Sequence, residues 1–161
     1  MPEAPTFLMG EFSRTLDDRY RLSIPPELAE PLTAAGVDCI LAKELPGCVS
    51  LWNAAAWQQK LDAGVELVKA KMLAGKLEGR IEDVQKLARL LSTRHRPVQI
   101  AGRGRVSIPD GFREFLQVTQ GGDVFVVGAG VSIEIWSPPA WISYVEGRMP
   151  EFRQLLDRLS S

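Results

Sequence analysis

Apolar and polar residues alternate over short stretches of this chain, and the same short stretches come round twice. Phe12, Arg14 and Leu16 against Ser13, Thr15 and Asp17 have the period of two expected of a strand. After the polar turn Asp17-Asp18-Arg19-Tyr20, a second strand, Arg21-Leu22-Ser23-Ile24, sets charged or polar residues against apolar ones. Pro25 and Pro26 end that strand, and Pro26-Glu27 suits the first turn of a short helix to Leu32. Cys39-Ile40-Leu41-Ala42, a Pro46-Gly47 turn and Cys48-Val49-Ser50-Leu51-Trp52 predict a hairpin.

The second copy follows the same steps. Val98 to Ile100 lead to the turn Ala101-Gly102-Arg103-Gly104, the strand Arg105-Val106-Ser107-Ile108 and a helix over Gly111 to Leu116. Val124 to Val127 are expected to turn at Gly128-Ala129-Gly130 into Val131 to Trp136. Arg19, Arg21, Ser23, Ile24 and Pro25 reappear 84 positions later as Arg103, Arg105, Ser107, Ile108 and Pro109. The same offset relates Trp52, Ala56 and Trp57 to Trp136, Ala140 and Trp141. One structural unit is written twice, with no net insertion between the copies. After each tryptophan stands a residue suited to cap a helix, Asn53 or Ser137.

Between the copies, Leu61, Val65, Val68 and Met72 fall on one helical face, and Ile81, Val84, Ala88 and Leu91 resume the stripe beyond Gly75 and Gly79. The expectation is a pair of connecting helices whose stripe is core. A short amphipathic helix from Met149 through Leu159 is expected to pack on its own subunit. Residues Met1 to Thr6, with two prolines and no periodicity, read as a frayed arm.

Composition narrows the chemistry. With 45% apolar and 24% charged residues the chain is ordinary globular protein, and a net charge of −1 excludes a general polyanion binder. Any nucleic-acid surface must come from local clustering of arginine. No signal-peptide or membrane-spanning run is seen. Cys39, Cys48 and the lone His95 make no convincing zinc site, and two half-buried reduced thiols are the plainer reading. No nucleophile or acid–base constellation stands out, so no enzyme, cofactor or small-molecule substrate is expected. Gly102-Arg103-Gly104 contains G-x-G, but no long helix follows it, so glycines at a tight hairpin account for it.

The arginines carry the functional reading. On alternating strands Arg21 and Ser23 project opposite Leu22 and Ile24, and Arg105 and Ser107 opposite Val106 and Ile108. Arg19 and Arg103 lie on the turns just before. Arginine on a β-ribbon can enter the major groove, forking onto guanine edges or phosphates. Salt-bridging arginines on a solvated turn are the alternative.

These segments resemble the MraZ family, whose members carry two SpoVT/AbrB-type units. The likeness spans about Met9 to Tyr144 and rests on Met9-Gly10-Glu11-Phe12, Leu16 through Pro25, Arg89-Leu90-Leu91, and Gly104 through Pro109. Phe115-Leu116, Val126-Val127-Gly128, Ile133 through Ser137, and Trp141 complete it. The resemblance implies an α+β, β-rich fold: a double-split (swapped-hairpin) β-barrel formed by two pseudo-repeated units. The expected divisions are a flexible arm over 1–8, unit one over 9–57, connecting helices over 58–93, unit two over 94–141 and a C-terminal helix over 142–161.

The resemblance also implies a ring-shaped homo-oligomer that binds direct repeats in the promoter of the division and cell-wall gene cluster. It would be a cytoplasmic, nucleoid-associated regulator, a repressor by the family's default. Its partner would be double-stranded DNA, with no membrane. The D-x-x-x-R motif maps onto Asp17 and Arg21, whereas copy two keeps Arg105 but has Ala101 in place of the acid. The glycine before the arginine is Gly104 in copy two but Tyr20 in copy one, and the arginine after the helix start is Arg113 against Ala29. DNA contact is therefore expected from Arg21 and Arg105, with Arg19, Arg103 and Arg14 as further candidates. Asp17 would orient the first tip, and the two tips should differ in shape. The rival reading is an oligomeric protein-interaction module, antitoxin-like, on the same barrel.

Overall fold

A computed structural model describes residues 7–161 of the chain. It is α+β, with a six-stranded antiparallel sheet, a two-stranded ribbon and six α-helices among the described residues. Copy one comprises β1 (Leu8–Thr15), β2 (Arg21–Ser23), α1 (Pro26–Leu32), β3 (Asp38–Leu45) and β4 (Cys48–Asn53). The helices α2 (Ala54–Leu73) and α3 (Ile81–Arg94) follow. Copy two comprises β5 (His95–Gln99), β6 (Arg105–Ser107), α4 (Phe112–Leu116), β7 (Asp123–Gly130) and β8 (Ile133–Trp136), and then α5 (Pro138–Arg148) and α6 (Phe152–Ser160).

The copies are intertwined. The large sheet runs β1-β7-β8-β4-β3-β5, so β1 of the first copy pairs with β7 of the second, and β5 of the second with β3 of the first. The ribbon pairs β2 with β6. Within it Leu22 faces Val106, and across the β4–β8 seam Ser50 faces Glu134. Each of those pairs joins a residue to its own counterpart 84 positions on. A pseudo-two-fold axis therefore runs through the ribbon and the centre of the sheet. A bulge between Lys43 and Leu45 shifts the β3–β4 register, and the two halves fall out of strict symmetry there.

The core lies between ribbon and sheet. Leu22, Ile24, Val106 and Ile108 from the ribbon side meet Leu41, Val49, Leu51, Val126, Ile133 and Ile135 from the sheet, all buried in one cluster with Leu28, Phe112 and Leu116 of the short helices. Burial of a Leu or Ile side chain contributes roughly 1.5–3 kcal/mol. Half of this core comes from each copy, so neither half of the chain can cover its own apolar face.

Several expectations need correction. Residues 1–6 of the expected arm lie outside the described residues, but Leu8 is no arm residue: it opens β1, buried at 5% exposure and paired with Gly130. The second hairpin turns at Val131-Ser132 rather than at Gly128 to Gly130, because β1 pairs with those glycines and draws β7 out. Gly128 is needed there, since a Cβ would lie 2.5 Å from the Met9 nitrogen. Asn53 caps α2 by accepting from Ala55 and Ala56 N–H at 3.0 and 3.2 Å. Ser137 makes no such bond among the described residues; α5 opens with two prolines, which leave only the Ala140 N–H within reach of a cap. The stripe on α2 and α3 is not core: neither helix has a fully buried residue. Nor does α6 pack on its own subunit, for Phe152, Leu155, Leu156 and Leu159 are all exposed. Both thiols are fully rather than half buried, and burial pushes Cys39 up to about 11 and Cys48 higher still.

Candidate nucleic-acid interface

The ribbon sorts its side chains by the period of two. Leu22 and Val106 turn inward, at 2% and 1% exposure, and Arg21, Ser23, Arg105 and Ser107 occupy the other face. In the pairing Arg21 stands opposite Ser107 and Ser23 opposite Arg105. The two arginines are thus diagonal neighbours on one outward face, roughly 7–8 Å apart at the backbone. A shallow cleft beside them is lined by Arg21, Arg105, Arg113, Gln99 and Ser107.

The turns that feed β2 and β6 are built alike. Asp17 N–H donates to the Arg21 carbonyl at 2.9 Å, and Ala101 N–H to the Arg105 carbonyl at 2.8 Å. Across the pseudo-axis Ile24 N–H donates to Gly104 O and Ile108 N–H to Tyr20 O, at 2.8 and 2.9 Å. Both acceptor residues have positive φ. Gly104 has φ 72°, and Tyr20 is held at 57° despite its side chain. The expected difference in tip shape therefore sits one residue earlier: Arg103 also has positive φ, at 66°, and Arg19 does not.

Side chains distinguish the tips further. Asp17 Oδ1 accepts the backbone N–H of Arg19 and Arg21, and Oδ2 accepts Arg21 Nε at 2.8 Å. The Arg21 backbone N–H, followed by that of Arg19 and the guanidinium, outweighs partial desolvation and holds the Asp17 carboxyl below its ordinary value. Because the clamp engages Nε, the terminal Nη atoms of Arg21 make no hydrogen bond among the described residues. Ala101 gives Arg105 no such clamp. Arg105 is exposed with no side-chain bond among the described residues, as are Arg19 and Arg103 on the turns.

Arg14 lies apart from that face, on β1, with its guanidinium 5.7 Å from the Phe12 ring centre and Nη1 donating to Ser13 O. A side chain absent from the sequence-based site, Arg113, joins it instead. Its guanidinium stacks 4.3 Å over the Tyr20 ring, Nε donates to Ile108 O, and Nη1 pairs with Asp110 at 2.8 Å. The position of Arg113 after the Ile-Pro helix start was the only signal for it. Together Arg21, Arg105 and Arg113 set three planar cations around one concavity, suited to phosphate oxygens or guanine edges.

The chain is similar to known proteins. A family model described as "MraZ protein, putative antitoxin-like" matches residues 96–159. The chain is 25% identical to the transcriptional regulator MraZ of Syntrophomonas wolfei subsp. wolfei, across 94% of this chain and 95% of that protein. It is 26% identical to the transcriptional regulator MraZ of Carboxydothermus hydrogenoformans over the same shares. Against that of Acetivibrio thermocellus it is 27% identical, over 84% of each chain. Among the described residues no helix is long and apolar enough to cross a membrane.

Proposed function

We propose that this chain, similar to transcriptional regulators MraZ over 94% of its length, is a member of the MraZ family and a sequence-specific DNA-binding regulator of transcription, a homo-oligomer that meets DNA through the arginines of its β2–β6 ribbon. The observation that carries this reading is the shared outward face of Arg21 and Arg105, with their terminal nitrogens unengaged. In this reading the ribbon and the six-stranded sheet are the two walls of a double-split, swapped-hairpin barrel. Arg19 and Arg103 contact phosphates, and Asp17 aims Arg21.

The target is a set of direct repeats in the promoter of the division and cell-wall gene cluster, and the effect is repression on nucleoid DNA in the cytoplasm. With a net charge of −1 a single subunit holds DNA weakly, and that hold falls steeply with salt. Several subunits fixed on one ring can gain roughly 10²–10⁴ through effective concentration. Gel shifts on promoter fragments with one, two and three repeats test the proposal. Affinity should climb steeply with repeat number; equal affinity for all three removes the ring from the account, and no binding to any removes the regulator.

A further inference from the structure

Two unpartnered apolar surfaces occur in the same chain, one concave and one convex. Between α2 and α3 opens a groove of about 550 Å³, walled by Leu61, Val65 and Val68 on one side and Leu87 and Leu91 on the other. At its sheet end the Trp57 and His95 rings lie 5.4 Å apart, and Trp57 Nε1 and His95 Nδ1 are buried without a hydrogen-bond partner among the described residues. The convex surface is α6. Phe152, Leu155, Leu156 and Leu159, between 44% and 77% exposed, stand at i, i+3, i+4 and i+7, the spacing of a helix that lies in a groove.

The sheet keeps the two apart within one subunit. Helices α2 and α3 pack on β3, β4 and β5, toward one edge, while α5, which carries α6, packs on β7 toward the other. The main contacts of α6 in its own subunit are with the turn immediately before it. No residue of α6 lines the groove, so within one subunit the groove and the apolar helix do not meet. A contact between unlike surfaces repeats from copy to copy and closes a ring when the rotation allows.

We propose that α6 of one copy docks in the α2–α3 groove of the next, joining subunits head to tail. The inference rests on the reading of the chain as a homo-oligomer and names the surfaces that build it. The nine residues of α6, roughly 14 Å long, fit within the length of α2.

The test is cross-linking in the intact protein with a short bismaleimide, after co-expression of Leu87→Cys and Leu156→Cys chains carrying tags of different mass. Leu87 is 42% exposed and Leu156 54%, so neither change disturbs the core, and circular dichroism checks the fold. The buried Cys39 and Cys48 should leave the wild-type chain unlinked. The expected result is a covalent dimer of one Leu87→Cys and one Leu156→Cys chain, with none from either variant alone. Light scattering should also show Leu156→Asp reduced to single chains. In a separate chain that carries both substitutions, a cross-link confined to that single chain overturns the proposal in favour of docking within the subunit. An oligomeric mass without any cross-link overturns it while leaving the oligomer standing. A wild-type protein with the mass of one chain overturns both.

Discussion

Arg21 donates Nε to Asp17 Oδ2 at 2.8 Å, while its own backbone N–H donates to Oδ1 of the same carboxylate at 2.9 Å. One acid therefore fixes both the turn and the aim of the side chain. Its carboxyl is held below the ordinary aspartate value of 3.8, chiefly by the Arg21 backbone N–H. For a group depressed in the folded state, the stability contribution is present above 3.8 and disappears as pH falls through the lower folded value. Asp17→Asn should abolish that acid-limb step in melting temperature. At neutral pH it should weaken DNA binding by less than Arg21→Ala does, because the cation is kept and only its aim is lost. An acid limb unchanged by Asp17→Asn would show that the clamp contributes nothing.

Gly104 has φ 72°, and a Cβ there would lie 2.5 Å from the Ile24 carbonyl oxygen. The obstacle is backbone, and it cannot swing away. Gly104→Ala should cost about 1–3 kcal/mol in stability, from αL strain and the disturbed Ile24 N–H bond. Urea unfolding measures this; a loss below about 0.5 kcal/mol would mean that the crossing is looser than described.

Arg113 ties the tip of copy one to the helix of copy two through its stack on Tyr20. Arg113→Ala should lower stability by about 0.5–1 kcal/mol, and Tyr20→Leu should remove the same increment without adding to it. A double-mutant cycle reads the coupling directly. Strictly additive losses would contradict the stack.

Glu134 faces Ser50 at the pseudo-axis and accepts the Trp136 Nε1–H at 3.1 Å. Burial raises its carboxyl above the ordinary value of 4.5; the Trp136 bond opposes that shift and the nearby Glu44 charge adds to it. An acid raised in the folded state binds its proton more tightly there, so stability is lost as pH rises from 4.5 through the raised value. Glu134→Gln keeps the acceptor without the charge. It should melt higher than wild type at pH 8 and level with it at pH 4, and a gap of the same size at both values would contradict the assignment.

The strands, the turns that feed β2 and β6, and the outward face of Arg21 and Arg105 were legible because a period of two dictates which side chains share a face, and the 84-residue offset says it twice. Which strand pairs with which was not. Alternation marks β1 and β5 as strands but does not record that each crosses to the other copy, and that crossing lengthens β7 through Gly130. The stripe on α2 and α3 misled for a related reason: a helical apolar face says that something must cover it, not that the same chain does. Arg113 escaped the list because its place in the cleft depends on Tyr20, which comes from the other copy.

The central claim is that Arg21 and Arg105 together form the surface that holds DNA. It is tested most directly by salt-titrated binding of promoter DNA to wild type and to Arg21→Ala/Arg105→Ala, with light scattering on both. The account predicts an intact oligomer, affinity reduced to the non-specific level, and a salt slope shallower by about 0.9 for each phosphate contact removed. Unchanged affinity and slope in a folded, oligomeric double variant would contradict it.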